Sequence, residues 1–145
     1  FCTKDYARAE ALVESADEVI HSHKREPSKD EMEAVLQKQD LSGEELEALI
    51  KSREKGEVDF TLVDVREWME HVSFRIKGTD LLIPTTSFYN SLDKLEPFKS
   101  KKVIVYCHVG SRSAYCQRAL LDMGYGVGNL TYGIVSYEGE LEKGR

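Results

Sequence analysis

The stretch that decides the fold of this chain is VIVYCHVGSRS, residues 103–113. Its four leading apolar residues are typical of a buried strand, and the pattern from Ser113 onward is typical of a helix. Cys107 stands between them, at the start of a short polar loop that contains a glycine and an arginine. A strand, a loop and a helix in this order predict one unit of an α/β fold, with the cysteine at the carboxyl end of the strand.

Similar units lie on both sides of this stretch. Further apolar runs occupy residues 60–65, 81–83 and 126–130, and helical patterns occupy residues 67–72, 88–95 and 113–123. Continuous apolar strands that alternate with helices predict a parallel sheet buried on both faces. We therefore predict an α/β fold in which helices flank a central parallel β-sheet.

The first forty residues are charged and helical in pattern. Residues 4–24 carry apolar side chains at helical spacing, and capping-box patterns at residues 28–31 and 42–45 predict the starts of two further helices. We predict a helical N-terminal extension over residues 1–40 and the main domain over residues 41–145. The apolar stripe of the extension must pack on the main domain or on a second copy, so a homodimer through the N-terminal helices is one expected arrangement.

The composition argues against several classes of partner. The chain has 145 residues, a formal net charge of −6 and 32% charged residues. Its negative charge argues against nucleic acid as the partner. No apolar run approaches the roughly 20 residues that span a bilayer, so we expect no membrane partner.

The cysteines carry further information about metals and compartment. Cys2, Cys107 and Cys116 fit neither a zinc pattern nor a C-x-x-C pair. We expect no metal and no cofactor, and free thiols of this kind favour a cytoplasmic protein. Cys116 lies within a helical pattern and is interpreted as structural. Because the chain begins at Phe1 rather than Met, a removed upstream segment remains an open alternative.

The loop after Cys107 has the chemistry of an anion site. Ligands of open α/β sheets collect beyond the carboxyl ends of the strands, and the first N–H groups of the following helix have no internal partners. A glycine at position 110 tolerates the backbone angles of a concave loop, and Arg112 adds positive charge. The predicted cradle is the segment His108, Val109, Gly110, Ser111, Arg112 and Ser113.

Such a cradle would favour the thiolate of Cys107, which is the competent nucleophile. We therefore predict an accessible, ionised Cys107 that is also open to oxidation. The alternative is that Cys107 is a small buried hydrophobe. His108 either steers anions or points to solvent, and the hydroxyl of Ser113 either donates to the bound sulfur, as that of Ser111 could, or only caps the helix.

Several motifs resemble one known family. CHVGSR at residues 107–112 places four residues between the cysteine and the arginine, and LVDVRE occupies residues 62–67. RIKGT at residues 75–79 and LIP at residues 82–84 follow at suitable distances. Over about residues 40–145 the chain resembles the single-domain rhodaneses, which are sulfurtransferases with a central parallel sheet. Arg75, Tyr132 and Tyr137 depart from the residues common in that family, which bears on the rim of the site.

The resemblance implies a persulfide mechanism. Cys107 would take sulfur from a small sulfur-containing anion such as thiosulfate, or from polysulfide. A thiol, a thioredoxin-like protein or cyanide would then accept that sulfur. The resemblance also implies that Asp64 and Arg66 support the loop through hydrogen bonds and an ion pair; otherwise they form an ordinary surface salt bridge.

Two alternatives remain at this stage. Cysteine phosphatases and arsenate reductases of this architecture place five residues between the cysteine and the arginine, whereas this loop has four. The other alternative is a non-catalytic rhodanese-like module used for protein interaction or sulfur sensing.

Overall fold

The computed structural model describes residues 27–145, so the helix predicted over residues 4–24 lies outside the described part of the chain. The described helices are α1 (Lys29–Leu36), α2 (Gly43–Glu54), α3 (Trp68–Ser73) and α4 (Ser111–Asp122). The described strands are β1 (Asp40–Leu41), β2 (Thr61–Asp64), β3 (Arg75–Ile76), β4 (Leu81–Leu82), β5 (Val103–Tyr106), β6 (Val127–Leu130) and β7 (Leu141–Glu142). Among these residues, no helix is both long enough and apolar enough to cross a bilayer.

Five strands form one parallel sheet in the order β1-β6-β5-β2-β4, and β3 pairs with β7 in a small antiparallel ribbon. Side chains of a strand alternate between the two faces, which divides the core into two clusters. Leu62 and Ile104 belong to the cluster on one face, whereas Val63 and Val105 belong to the cluster on the other. The predicted α/β fold, with its sheet buried on both faces, is confirmed.

Two capping boxes start the first two described helices, as the sequence predicts. In each, a serine hydroxyl accepts from the backbone N–H of a glutamate, and that glutamate accepts from the serine N–H. Met32 and Leu36 of α1 are buried in the same cluster as Leu46 and Leu49 of α2. The described part of the N-terminal segment therefore packs on the main domain, and the predicted boundary at residue 40 stays a prediction.

Two local predictions need adjustment. Residues 88–95 form short 3-10 turns within Thr85–Phe98 rather than one regular helix, in keeping with the low helix propensity of Asn, Ser and Asp. Helix α4 begins at Ser111, two residues before its predicted start, because Gly110 occupies the cap position with φ of +110°. The alternative role of Ser113 as the helix cap is therefore wrong.

Candidate active site

Cys107 lies directly after β5, in the middle of the sheet and at its carboxyl edge. Its Sγ accepts hydrogen bonds from the backbone N–H of Gly110 at 3.1 Å and of Ser113 at 3.4 Å. The Ser113 hydroxyl is also 3.4 Å from the sulfur. Two elements supply these donors, the loop and the first turn of α4, so Gly110 and Ser113 of the predicted cradle donate to the Cys107 sulfur.

Only glycine fits at position 110. Its φ of +110° is unfavourable for any residue with a side chain, and an added Cβ would lie 1.9 Å from the carbonyl oxygen of Thr131. The backbone of the loop is therefore pressed against the segment that follows β6. This close approach brings the Gly110 N–H within reach of the sulfur.

Hydrogen bonds outweigh burial in setting the pKa of Cys107. Burial is the largest single influence and raises this pKa. The Ser113 hydroxyl and the backbone N–H groups of Ser113, Gly110 and Arg112 together lower it below the ordinary value for a thiol. The arrangement therefore favours the thiolate, as the sequence predicts.

The accessibility predicted for Cys107 is wrong in this conformation, because the residue has 0% exposed surface. The thiol belongs to the buried cluster that contains Val65, Val105 and Cys116. His108 and Val109, at the tip of the loop, are exposed instead. A donor molecule can reach the sulfur only when the groups that surround Cys107 move.

The guanidinium of Arg112 does not point at the sulfur as a free charge. It makes a two-pronged ion pair with the carboxylate of Glu70 on α3, at 2.9 and 3.0 Å. The Arg112 hydrogen bond lowers the pKa of Glu70 to about 2, and Glu70 in turn raises the pKa of Arg112. Arg112 therefore acts on Cys107 through its backbone N–H and ties the loop to α3 through its side chain.

Asp64 and Arg66 form a buried pair, 0% and 1% exposed, so the alternative of a surface salt bridge is wrong. Arg66 Nε and Nη2 each lie 3.0 Å from an Asp64 carboxylate oxygen. The same carboxylate lies 3.0 Å from Nδ1 of His71, and Arg66 also donates to the carbonyl of Phe74. Within the described residues, their hydrogen bonds hold α3 and its C-terminal end rather than the loop itself.

Asp64 and Arg112 are therefore connected through α3, which hydrogen-bonds to both of them. His71 fastens one side of this short helix to Asp64, and Glu70 fastens the other side to Arg112. Neither residue belongs to a motif that predicts the site from sequence. Glu70 and Arg112 are 42 positions apart, and only the sheet order brings them together. The only hint in the sequence was the position of Glu70 itself, an acidic residue four positions after Arg66.

The remaining predicted residues are placed as follows. Cys116 is buried in α4, and burial raises its pKa to about 11, which fits a structural thiol. Ser111 is exposed at the start of α4. Among residues 27–145, no group of His, Cys, Asp and Glu is arranged to hold a metal ion.

The three departures from the family pattern have different surroundings. Arg75 pairs with the carboxylate of Glu142 at 3.3 Å. Tyr132 is 69% exposed beside the loop. Tyr137 is buried, and burial raises its pKa to about 12.

A parallel sheet with a hydrogen-bonded cysteine at its carboxyl edge is typical of one family of domains. The sequence matches the sequence model of that family. Residues 44–140, more than half of the chain, match the rhodanese-like domain. The protein belongs to the rhodanese-like domain family. A comparison of the sequence with curated proteins gave no significant match.

Solved structures carry the same fold. A rhodanese-related protein from Thermoplasma volcanium is 27% identical with a TM-score of 0.58, and the match covers 69% of this chain and 90% of that one. A thiosulfate sulfurtransferase from Pseudomonas aeruginosa is 25% identical with a TM-score of 0.63, covering 81% and 22%. Reduced CoADR-RHD from Bacillus anthracis is 27% identical with a TM-score of 0.55, covering 66% and 15%. This chain therefore spans only a small part of the latter two proteins.

Proposed function

We propose that the protein is a sulfurtransferase that carries a sulfane sulfur on Cys107. The observation that carries this proposal is the set of three donors, two backbone N–H groups and one hydroxyl, within 3.4 Å of the Cys107 sulfur. Such a cradle stabilises a negative sulfur, both as the attacking thiolate and as the outer sulfur of a persulfide. The rhodanese-like family and its thiosulfate sulfurtransferase member support the same chemistry.

The proposed reaction has two displacement steps. The Cys107 thiolate attacks the outer sulfur of thiosulfate, a new S–S bond forms, and sulfite leaves with the electron pair of the broken S–S bond. Cyanide or a thiolate then attacks the outer sulfur of the persulfide. Thiocyanate or a new persulfide forms, and Cys107 leaves as the thiolate. Neither step needs a cofactor.

The donor and acceptor classes are part of the proposal. The donor is a small sulfur anion such as thiosulfate, or polysulfide, and the acceptor is cyanide, a thiol or a thioredoxin-like protein. Cys107 and Cys116 are both free thiols, which supports a reducing compartment such as the cytoplasm.

A homodimer through the N-terminal helices is proposed as well. Light scattering of the full chain measures the molar mass that tests it.

Intact-mass measurement tests the transfer directly. The protein is incubated with thiosulfate or with polysulfide, and then with cyanide. We expect the mass of one added sulfur, its removal by cyanide, and no gain in the variant Cys107→Ser. The matched control Cys116→Ser should still gain the sulfur, because that buried thiol has a raised pKa. A gain that survives in Cys107→Ser would refute Cys107 as the carrier.

A second candidate is the non-catalytic interaction or sulfur-sensing module. The complete burial of Cys107 favours it, because a covered sulfur turns over donors slowly or not at all. A persulfide that forms but that neither cyanide nor thiols remove would support sensing. Hydrolysis of aryl phosphates without sulfur uptake would instead support the phosphatase alternative.

A further inference from the structure

Large exposed apolar side chains are concentrated around the Cys107 loop. We call six of them the apolar rim: Trp68, Met69, Val109, Tyr115, Tyr132 and Val135. They make up six of the nine large hydrophobic residues that are exposed among residues 27–145. Met69 and Tyr132 are the most exposed, at 70% and 69%. Exposed apolar side chains that are grouped around one loop mark interaction sites more often than scattered single residues do.

The members of the apolar rim come from different elements around the loop. Val109 is in the loop itself. Trp68 and Met69 directly precede Glu70, which holds Arg112. The segment of Tyr132 and Val135 packs on the opposite side, where the Val135 N–H donates to the His108 carbonyl.

Tyr115 completes the apolar rim from α4. It lies one helical turn after Ser111, the first residue of that helix. Its hydroxyl lies 3.4 Å from that of Tyr89. The apolar rim therefore draws on the loop, on two helices and on the segment after β6, all at the carboxyl edge of the sheet.

The arginines at the site are paired with carboxylates rather than free. Each arginine that the sequence places near the site is engaged by a carboxylate: Arg112 by Glu70, Arg66 by Asp64 and Arg75 by Glu142. Next to Tyr132 lies a hollow of about 290 Å³ whose lining includes the carboxylates of Glu44 and Glu138. The whole chain carries a net charge of −6. An apolar surface with an acidic border is complementary to an apolar surface with a basic border.

We propose that the apolar rim docks a protein partner that presents a cysteine on an apolar, basic-bordered surface and exchanges sulfur with Cys107. The inference rests on the proposed sulfurtransferase function and narrows its acceptor class from thiols in general to thiols carried by proteins. In the exchange the partner thiolate attacks the outer sulfur of the Cys107 persulfide, and Cys107 leaves as the thiolate. A second copy of this chain fits less well, because its charge has the same sign.

Two short cysteine peptides of equal length provide the probe. One has Leu and Phe beside the cysteine and Lys at its ends, and the other has Ser and Glu at those positions. Cys107 is loaded with polysulfide, and kcat/KM for transfer to each peptide is divided by the value for cyanide. The double variant Met69→Ser, Tyr132→Ser is compared with Leu141→Ser, an exposed leucine on β7 that is outside the apolar rim.

We expect the apolar, basic peptide to be preferred about tenfold, and the double variant to lose that preference while Leu141→Ser keeps it. Equal rates for the two peptides, or an equal loss in the control variant, would overturn the inference. A dimer that dissociates in the double variant, together with no peptide preference, would assign the apolar rim to a second copy instead and so also overturn it.

Docking can be measured separately from sulfur transfer with versions of both peptides in which Ser replaces Cys. Their binding is measured by fluorescence anisotropy. If the protein never gains sulfur, the proposed function fails, and anisotropy alone then decides whether docking occurs. Tighter binding of the apolar, basic peptide that weakens in the double variant supports docking. Equal or absent binding refutes it.

Discussion

The substitution Glu70→Gln tests whether the link between α3 and the loop contributes to stability. Glutamine keeps the size of the side chain and an oxygen that can accept the backbone N–H of Glu67, which Glu70 holds at 2.9 Å. It removes only the negative charge that faces Arg112. The variant therefore isolates the ionic part of the contact.

The magnitude follows from the pKa of Glu70, which Arg112 lowers from 4.5 to about 2. At face value this corresponds to roughly 3 kcal/mol. The Glu70 and Arg112 side chains are 35% and 34% exposed, and solvent screens such pairs, so we expect about 1 kcal/mol. A lowered carboxyl pKa stabilises the fold fully above about pH 5, and this contribution is lost as the pH falls toward 2.

Urea unfolding of wild type and Glu70→Gln at about pH 6 and about pH 3 measures this effect. We expect wild type to be more stable by about 1 kcal/mol at pH 6, with this difference reduced by about half at pH 3, because the pKa of Glu70 in the folded protein is about 2. Glu140→Gln, which removes a carboxylate that is 78% exposed, controls for the change in net charge. A difference between wild type and Glu70→Gln that is the same at both pH values would refute the reasoning.

Three further variants test the buried parts of the site. Gly110→Ala should reduce sulfur loading of Cys107 at least about 100-fold, because its Cβ would lie 1.9 Å from a carbonyl oxygen. Mass spectrometry measures the loading, and unchanged loading would contradict the observed loop. Ser113→Ala should raise the pH at which the thiolate absorbance of Cys107 appears, because a hydroxyl donor at 3.4 Å is lost. Ser111→Ala, at an exposed position, is the control. Equal shifts in the two variants would argue against the contact between the Ser113 hydroxyl and the sulfur. Asp64→Ala should cost about 3–5 kcal/mol in urea unfolding, because it leaves a 1% exposed arginine unpaired; a loss below about 1 kcal/mol would show that the buried pair is not needed.

Much of the fold is predictable because local patterns encode it. The apolar run at residues 103–106 forms a strand in the interior of the sheet, and the capping boxes at residues 28–31 and 42–45 start helices where predicted. The start of α4 differs because the backbone of Gly110 is pressed against Thr131, a contact between distant segments. Helix α3 has no buried residue, and hydrogen bonds to Asp64 and Arg112, which lie outside it, hold it in place.

For the site, the sequence by itself predicted Cys107 as the candidate nucleophile and determined the order of strand, loop and helix that surrounds it. Strand ends and helix starts are local features, so the donors around the Cys107 sulfur follow from neighbouring residues. The tertiary structure alone decided the partner of Arg112 and the burial of the sulfur, because both depend on residues far apart in the chain. The positive charge of Arg112 can be read from the sequence. Which carboxylate pairs with it depends on the order of the strands in the sheet.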